Sequence, residues 1–211
     1  MLRESKIGQS YLRWVGEIPL SLVQRLSLKP NHLTFMTLFI SLGTVPAFLH
    51  SLWLGGIGVL LSGVLDTLDG SLARKLKQQT RAGAFLDSVF DRYSDFLMVL
   101  GIWLFFQAHP VPAQVLITPL LFLLLAGSFM VSYSRARGEG LGLSISLGLF
   151  ERAERIIALG AGAILNDLLT GMFPSQDWLR DHLFFIGLLT ILSIGTHLTA
   201  FQRIVHLFKH L

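Results

Sequence analysis

The segment between residues 66 and 91 constrains this chain more than any other, because it places four carboxylates at helical spacing inside an apolar sequence. These residues are Asp66, Asp69, Asp87 and Asp91. An ionisable side chain at membrane depth costs roughly 2.5 to 3.5 kcal/mol on insertion scales. Four such groups close together need a compensating partner, and a bound divalent cation is the simplest one. The segment therefore predicts a functional, cation-binding site.

The composition of the chain indicates a membrane protein. Of its 211 residues, 52% are hydrophobic and only 14% are charged, and the mean hydropathy is +0.62, too apolar for an ordinary soluble domain. Six apolar runs lie near 33–54, 53–65, 85–106, 114–134, 156–173 and 183–201. The second run reaches the roughly 20 residues needed to cross a bilayer only if it continues to Lys75. We expect an all-α integral membrane protein with six transmembrane helices in a single domain, 1–211, surrounded by lipid and with no nucleic acid partner.

The distribution of Lys and Arg predicts the orientation in the membrane. The loops near 50–55 and 107–114 contain neither residue, whereas the segments on the other side are rich in both. Because cytoplasmic loops carry the positive excess, we expect a multi-pass protein of the cell membrane with both termini and the carboxylates facing the cytoplasm. Residues 1–29 mix charged and apolar residues in a pattern typical of an amphipathic helix on the membrane surface. An ordinary N-terminal arm is the alternative.

The spacing of the aspartates predicts how they come together. Residues three and four apart share a helix face, so Asp66 and Asp69 form one stripe, and Asp87 and Asp91 form another. If the two helices are antiparallel neighbours joined by the basic turn 75–81, the four carboxylates pool. An all-oxygen site suits Mg²⁺ or Mn²⁺, and one carboxylate could remain free as a general base.

Residues next to the aspartates indicate a substrate with a pyrophosphate group. Gly70 leaves room for a ligand to approach the backbone, Arg74 could clamp a phosphate, and Thr80 could add a hydroxyl. The alternative is that the acids only pair with neighbouring arginines at solvated helix ends. Asp95 continues the series after Asp91, and we expect it to support the site without binding the cation.

The residues 66–91 match, at each position and spacing, the signature Asp-x2-Asp-Gly-x2-Ala-Arg-x8-Gly-x3-Asp-x3-Asp. This pattern resembles the CDP-alcohol phosphotransferase family, whose members are six-helix membrane proteins, commonly dimers, that displace CMP from a CDP-linked donor with an alcohol. The start of the first run, Pro30-Asn31-His32-Leu33-Thr34, also resembles that family. The resemblance implies metal ligands at Asp66, Asp69, Asp87 and Asp91, a base at Asp91, and donor contacts at Asn31, Thr34, Gly70, Arg74 and Thr80.

Motifs in the second half resemble the phosphatidylinositol phosphate synthase branch of that family. They are 132–140 (Ser-Tyr-Ser-Arg-Ala-Arg-Gly-Glu-Gly), 151–155 (Glu-Arg-Ala-Glu-Arg) and Gln202-Arg203. The resemblance implies that the phosphate of inositol 1-phosphate is bound by Ser132, Arg137, Arg155 and Arg203. Arg135 and Gly138 depart from the branch, which often has lysine and alanine there. Arg152 has a simpler interpretation as a topology or anionic-lipid contact.

These observations together predict a transferase that moves the phosphatidyl group from CDP-diacylglycerol to a phosphorylated alcohol, with inositol 1-phosphate as the expected acceptor. Glycerol 3-phosphate is the alternative within the same chemistry. A divalent-cation transporter or a non-catalytic lipid-binding protein is the alternative outside it. A transporter needs an acidic path through several helices, whereas the outer halves of the apolar runs here lack one.

Overall fold

A computed structural model describes residues 30–145 and 147–211, and over these residues the chain is helical with no strand. The elements, in chain order, are α1 (Pro30–His50), α2 (Leu52–Lys75), α3 (Arg81–Ala108), α4 (Gln114–Gly140), α5 (Arg152–Met172), the short α6 (Asp177–Arg180) and α7 (Leu183–His210). The amphipathic arm predicted for 1–29 lies outside the described residues.

Side-chain caps fix where α2 and α3 begin. The Ser51 hydroxyl accepts a hydrogen bond from the Leu54 N–H at 3.3 Å, and the Thr80 hydroxyl accepts one from the Gly83 N–H at 2.9 Å. Such caps satisfy amides that have no partner within the helix. Only residues 76–80 separate α2 from α3, and a connection this short brings the end of α2 beside the start of α3.

Helix α1 packs against both helices that carry the aspartates. It packs along both α2 and α3, whereas α2 and α3 contact each other over only a short stretch. Helix α5 packs against α2, and α4 against α7. Apolar side chains from these elements form the main core, including Phe48, Ile102, Phe106, Leu159 and Phe185. The two carboxylate stripes are therefore neighbours at their connected ends, with α1 holding them in place.

Two glycines allow α2 and α5 to approach closely. A Cβ added to Gly56 would lie 2.6 Å from the carbonyl oxygen of Gly160, and one added to Gly160 would lie 3.0 Å from the carbonyl oxygen of Gly56. Small residues permit such backbone approach between membrane helices. Because α5 begins at Arg152, this contact also sets where the first turn of α5 lies relative to the aspartates of α2.

Three buried hydroxyls connect α1, α2 and α3. The Ser41 Oγ lies 2.7 Å from Ser62 Oγ and 2.9 Å from Ser94 Oγ. All three serines are buried, and a buried hydroxyl is stable only when it is hydrogen-bonded. Ser94 directly precedes Asp95. These hydrogen bonds thus fix the position of α3 relative to α1 and α2 at the turn that carries Asp95.

The outer surface of the helices is apolar. Large hydrophobic side chains are exposed along α1, α4 and α7, with Phe39 at 71%, Val115 at 81% and Phe201 at 64%. Five helices, α1, α2, α4, α5 and α7, are long and apolar enough to cross a membrane. The chain is accordingly a multi-pass membrane protein, and its described residues are helical. Helix α3 has 28 residues but carries Asp87, Asp91, Arg92 and Asp95, so the sixth span stays a prediction.

Candidate active site

Three aspartates from α2 and α3 form a carboxylate cluster. One oxygen from each of Asp66, Asp69 and Asp87 lies within 4.8 Å of the other two. Ligands bound at about 2.1 Å to Mg²⁺ lie about 3 to 4 Å from each other, so small side-chain movements would bring these oxygens around one cation. The pooling of the two stripes, predicted from their spacing, is therefore found for three of the four aspartates.

Asp69 is the most buried member of the cluster. Its residue is 4% exposed, and among the described residues its Oδ2 atom has no hydrogen-bond partner. The Thr34 side chain hydrogen-bonds the Asp69 carboxylate, which places Thr34 beside the cluster, and its predicted contact with the donor stays a prediction. A buried carboxylate oxygen without a partner is costly. The donor set and the orphaned oxygen both fit a hard divalent cation.

Asp91 lies next to the cluster and not within it. Its Oδ1 atom is 3.0 Å from Arg152 Nη1, and its Oδ2 atom is 3.7 Å from Arg92 Nη1. Arg152 Nη1 also lies 2.6 Å from Asp66 Oδ2. One guanidinium therefore joins a carboxylate of α2 to one of α3. The predicted roles of Asp91 as ligand and base stay predictions.

A second group of charges continues from Asp91 toward the protein interior. Asp95, 4% exposed, lies 2.9 Å from Arg155 Nη2 and 3.5 Å from Arg152 Nε. Burial of a charged side chain is costly unless an oppositely charged group lies close to it. Asp95 thus contacts two arginines of α5 and does not contribute to the cluster of three carboxylate oxygens. This position agrees with the supporting role expected for it.

The residues predicted to contact the donor lie around the end of α2 and the start of α1 and α3. Arg74 is exposed, and its Nη2 donates to the Ser71 hydroxyl at 3.1 Å. A Cβ on Gly70 would meet Arg74 Nη1 at 3.4 Å, so the guanidinium lies over this glycine. The exposed Thr80 caps α3. Asn31 belongs to the first turn of α1. In the same turn, Leu33 is buried against Leu68 and Leu72 of α2.

The predicted acceptor residues divide into two groups. Arg137 is exposed on α4, one and a half turns after the partly buried Ser132. Arg155 and Arg203 are 1% and 2% exposed, and both bind the loop before α5. Arg155 donates to the carbonyl of Phe150 at 3.2 Å.

Arg203 binds the same loop and α4. It donates to the Leu147 carbonyl at 2.6 Å and to Glu151 Oε1 at 2.7 Å, and to the Val131 carbonyl of α4 at 2.8 Å. The structure therefore joins Arg155 and Arg203 through segment 147–151, and their predicted contacts with the acceptor phosphate, like that of Arg137, stay predictions. Charge-assisted bonds to carbonyl and carboxylate oxygens stabilise both buried guanidinium groups.

Arg152 is the site residue that the sequence interpretation missed. Its guanidinium contacts Asp66, Asp91 and Asp95, although its charge had a simpler interpretation as a topology signal. Its position three residues before Arg155 was the available indication, because residues so spaced share a helix face. Which acidic residues meet that face depends on helix packing and cannot be read from spacing.

Comparison with known proteins identifies the family of this chain. The family model for CDP-alcohol phosphatidyltransferase matches residues 27–191, which include the carboxylate cluster, Arg152 and Arg155. The chain belongs to the CDP-alcohol phosphatidyltransferase family. It is accordingly an enzyme of this kind, a membrane transferase of phospholipid synthesis, as the motif predicted.

Named relatives of this phosphatidyltransferase include two synthases. An archaetidylinositol phosphate synthase of Methanothermobacter thermautotrophicus is 31% identical over 191 residues, 90% of this chain and 88% of the relative. A phosphatidylinositol phosphate synthase of Streptomyces avermitilis is 37% identical over 153 residues, 72% of this chain and 59% of the relative.

The fold is similar to that of a solved phosphatidyltransferase. A crystal structure of the phosphatidylinositol phosphate synthase of Mycobacterium tuberculosis with bound CDP-DAG has a TM-score of 0.74 and 28% identity, and covers 90% of this chain and 91% of that one. A second structure of that enzyme, also at a TM-score of 0.74 and 28% identity and covering 90% and 87%, contains manganese and citrate.

Proposed function

We propose that this chain transfers the phosphatidyl group of CDP-diacylglycerol to the hydroxyl of inositol 1-phosphate, producing phosphatidylinositol phosphate and CMP. The observation that carries this proposal is the cluster of Asp66, Asp69 and Asp87, whose oxygens lie within 4.8 Å of one another in a chain of the phosphatidyltransferase family. The names of the relatives support the acceptor.

The aspartates have distinct roles in the proposed reaction. Asp66, Asp69 and Asp87, together with Asp91, would hold Mg²⁺ or Mn²⁺, which would neutralise charge on the donor pyrophosphate. Asp91 accepts the proton of the acceptor hydroxyl. The hydroxyl oxygen then forms a bond to the lipid-side phosphorus, and the bond from that phosphorus to the bridging oxygen breaks. CMP leaves with the electron pair of the broken bond.

The donor nucleotide lies, in this proposal, at the end of α2. Arg74 lies over Gly70, where its guanidinium can donate to a phosphate without a side chain at Gly70 in the way. Thr34 approaches from α1, where it hydrogen-bonds Asp69. Asn31 and Thr80, at the starts of α1 and α3, complete the proposed donor contacts.

The acceptor phosphate lies, in this proposal, on the side of α4, α5 and α7. Arg137 is exposed on α4 and available to an anion from the aqueous side, and Ser132 would contribute from an earlier turn of the same helix. Arg155 and Arg203 are buried beneath segment 147–151. Their direct contact with phosphate therefore requires this segment to move, and until then they hold it in place.

We further propose a membrane arrangement for the enzyme. Helix α3 would be a sixth span, because its C-terminal part is apolar and packs in the main core with Ile102 and Phe106. The charged start of α3 and the ends of α2 and α4 would face the cytoplasm, as would both termini. Residues 1–29 would lie on the membrane surface, and two copies would form a homodimer, as the family resemblance implies.

Measurement of CMP release from CDP-diacylglycerol in the presence of Mg²⁺ tests this proposal. Purified protein in liposomes would be given inositol 1-phosphate, free inositol, glycerol 3-phosphate or serine as acceptor. We expect turnover with inositol 1-phosphate alone. Turnover only with glycerol 3-phosphate would keep the reaction but contradict the acceptor, and no CMP with any acceptor would contradict the donor or the enzymatic role.

A further inference from the structure

Arg152 occupies the position of a cation between two proposed metal ligands. Its Nη1 atom lies 2.6 Å from Asp66 Oδ2 and 3.0 Å from Asp91 Oδ1. The side chain is only 15% exposed. Without positive charge, these carboxylates would repel one another in a poorly solvated site. Arg152 is therefore the internal group that neutralises this part of the site.

A divalent cation and this guanidinium are in conflict. Both are positive, and both need the carboxylates of Asp66 and Asp91. Two like charges a few ångströms apart repel strongly in a partly buried site. A carboxylate oriented by a close guanidinium is also a poorer ligand for a second cation. Full coordination of a cation therefore requires Arg152 to weaken or lose at least one of these contacts.

The structure provides a second place for the Arg152 guanidinium. Its Nε atom is 3.5 Å from Asp95 Oδ1, and Asp95 lies outside the three-oxygen cluster. Among the described residues, Arg152 Nε and Nη2 are both buried without a hydrogen-bond partner, so the contact of Nε with Asp95 is an ion pair and Nη2 is free to bond a new acceptor. A cavity of about 10 Å³, room for about one water molecule, lies beside Arg152 between Asp95 and the apolar side chains of Met98 and Ile156.

We propose that Arg152 and the divalent cation exchange at the carboxylate site. Arg152 holds Asp66 and Asp91 in the cation-free protein, and on cation binding it releases them while Asp95 retains it. This inference rests on the proposed function insofar as that function requires a cation on these carboxylates. Its consequence is measurable without substrate: the wild-type protein binds a divalent cation more weakly than it would without the Arg152 charge.

The test is Mn²⁺ binding to purified protein in detergent, measured from the electron paramagnetic resonance signal of free Mn²⁺. Arg152→Gln is expected to lower the dissociation constant for Mn²⁺ at least about fivefold, within the usual range of coupling between two sites. Without cation, the same variant is expected to unfold at a lower temperature than wild type. Added Mn²⁺ should then raise its unfolding temperature more than that of wild type.

Arg92→Gln is the matched control. Its guanidinium lies 3.7 Å from Asp91 Oδ2 and does not contact Asp66, so it removes one nearby positive charge without removing the bridge. We expect a change in Mn²⁺ affinity of less than about twofold. An equal gain in affinity in Arg92→Gln and Arg152→Gln would mean that removing any nearby positive charge has the same effect. That result would overturn the exchange.

Arg152→Lys is the second variant, in case the glutamine variant does not fold. Lysine keeps the charge on one nitrogen, which can bridge Asp66 and Asp91 as Arg152 Nη1 does but leaves no second nitrogen for Asp95. We expect Mn²⁺ binding no tighter than in wild type, because the competing charge stays. Tighter binding in Arg152→Lys, or weaker binding in Arg152→Gln, would mean that the charge of Arg152 does not compete with the cation, and it would overturn the exchange.

The outcomes separate this inference from the proposed function. Mn²⁺ binding needs neither donor nor acceptor, so a wrong acceptor leaves the measurement unaffected. If wild type binds Mn²⁺ and Arg152→Gln binds it no tighter, the exchange alone is wrong. If neither protein binds Mn²⁺, the cation site is wrong, and the proposed function and the exchange are both overturned.

Discussion

Asp91 differs from its three neighbours in its position relative to the carboxylate cluster. Asp66, Asp69 and Asp87 contribute the clustered oxygens, whereas Asp91 lies beside them and shares Arg152 with Asp66. A base needs an oxygen that a substrate hydroxyl can approach, and a carboxylate at the edge of a cation site is better placed for this than one at its centre. At the scale of single residues, the proposed mechanism therefore assigns the proton transfer to Asp91.

Asp91→Asn is expected to reduce CMP release about 100- to 10,000-fold, the usual contribution of a general base. The amide keeps the size of the side chain and cannot accept the proton. Asp66 would still hold Arg152, so we expect the variant to fold. The rate of CMP release with inositol 1-phosphate is the measurement.

Asp177→Asn makes the same change at an exposed aspartate, 90% accessible, at the start of α6. It is expected to release CMP at the wild-type rate. More than about a tenth of wild-type activity in a folded Asp91→Asn protein would remove the assignment of the base, because that loss is below the range expected for one.

The meeting of the two aspartate stripes could be predicted from the sequence, whereas the partners that the buried arginines have in the structure could not. Aspartates three and four apart must share a helix face, and a short turn brings two such faces together. The partners of Arg152, Arg155 and Arg203 are set by packing between distant helices. Arg155 meets Asp95, 60 residues earlier, and Arg203 meets a carbonyl 72 residues earlier. No local pattern records such contacts.

At the scale of elements, the site depends on the contact between α2 and α5. Gly56 and Gly160 bring the two backbones together, and the same helices carry Asp66 and Arg152. Small residues permit such close packing between membrane helices. Which helices pack there follows from the three-dimensional arrangement alone.

Gly56→Ala is expected to destabilise the protein by about 1 to 3 kcal/mol, since the added Cβ would meet the Gly160 carbonyl oxygen at 2.6 Å and force the helices apart. Thermal unfolding in detergent measures this change. Alanine is intrinsically better than glycine in a helix by about 1 kcal/mol, so helix propensity alone predicts the opposite sign.

Gly187→Ala is the matched control for this contact. Gly187 lies in α7, and nothing lies within 4 Å of a Cβ built there. We expect unchanged or slightly higher stability. If Gly56→Ala were as stable as this control, the close approach of α2 and α5 would not be a constraint on the fold.

At the scale of the whole molecule, the helices expose apolar side chains along their length, and the carboxylates lie near the end of α2 and the start of α3. Hydropathy predicted the long helices, and five of them meet the requirements for a span. Helix α3 does not, because it carries Asp87, Asp91, Arg92 and Asp95, three of them acids of the candidate site. A functional site within a membrane protein thus interrupts the signal from which the fold is predicted.

CMP release before and after removal of divalent cations tests the central claim most directly. With CDP-diacylglycerol and inositol 1-phosphate, we expect no CMP after chelation and full recovery on addition of Mg²⁺ or Mn²⁺. Asp69→Asn, which changes the most buried member of the carboxylate cluster, is expected to show no recovery. Undiminished CMP release after chelation, or wild-type activity in Asp69→Asn, would contradict a cation-dependent transfer at this site.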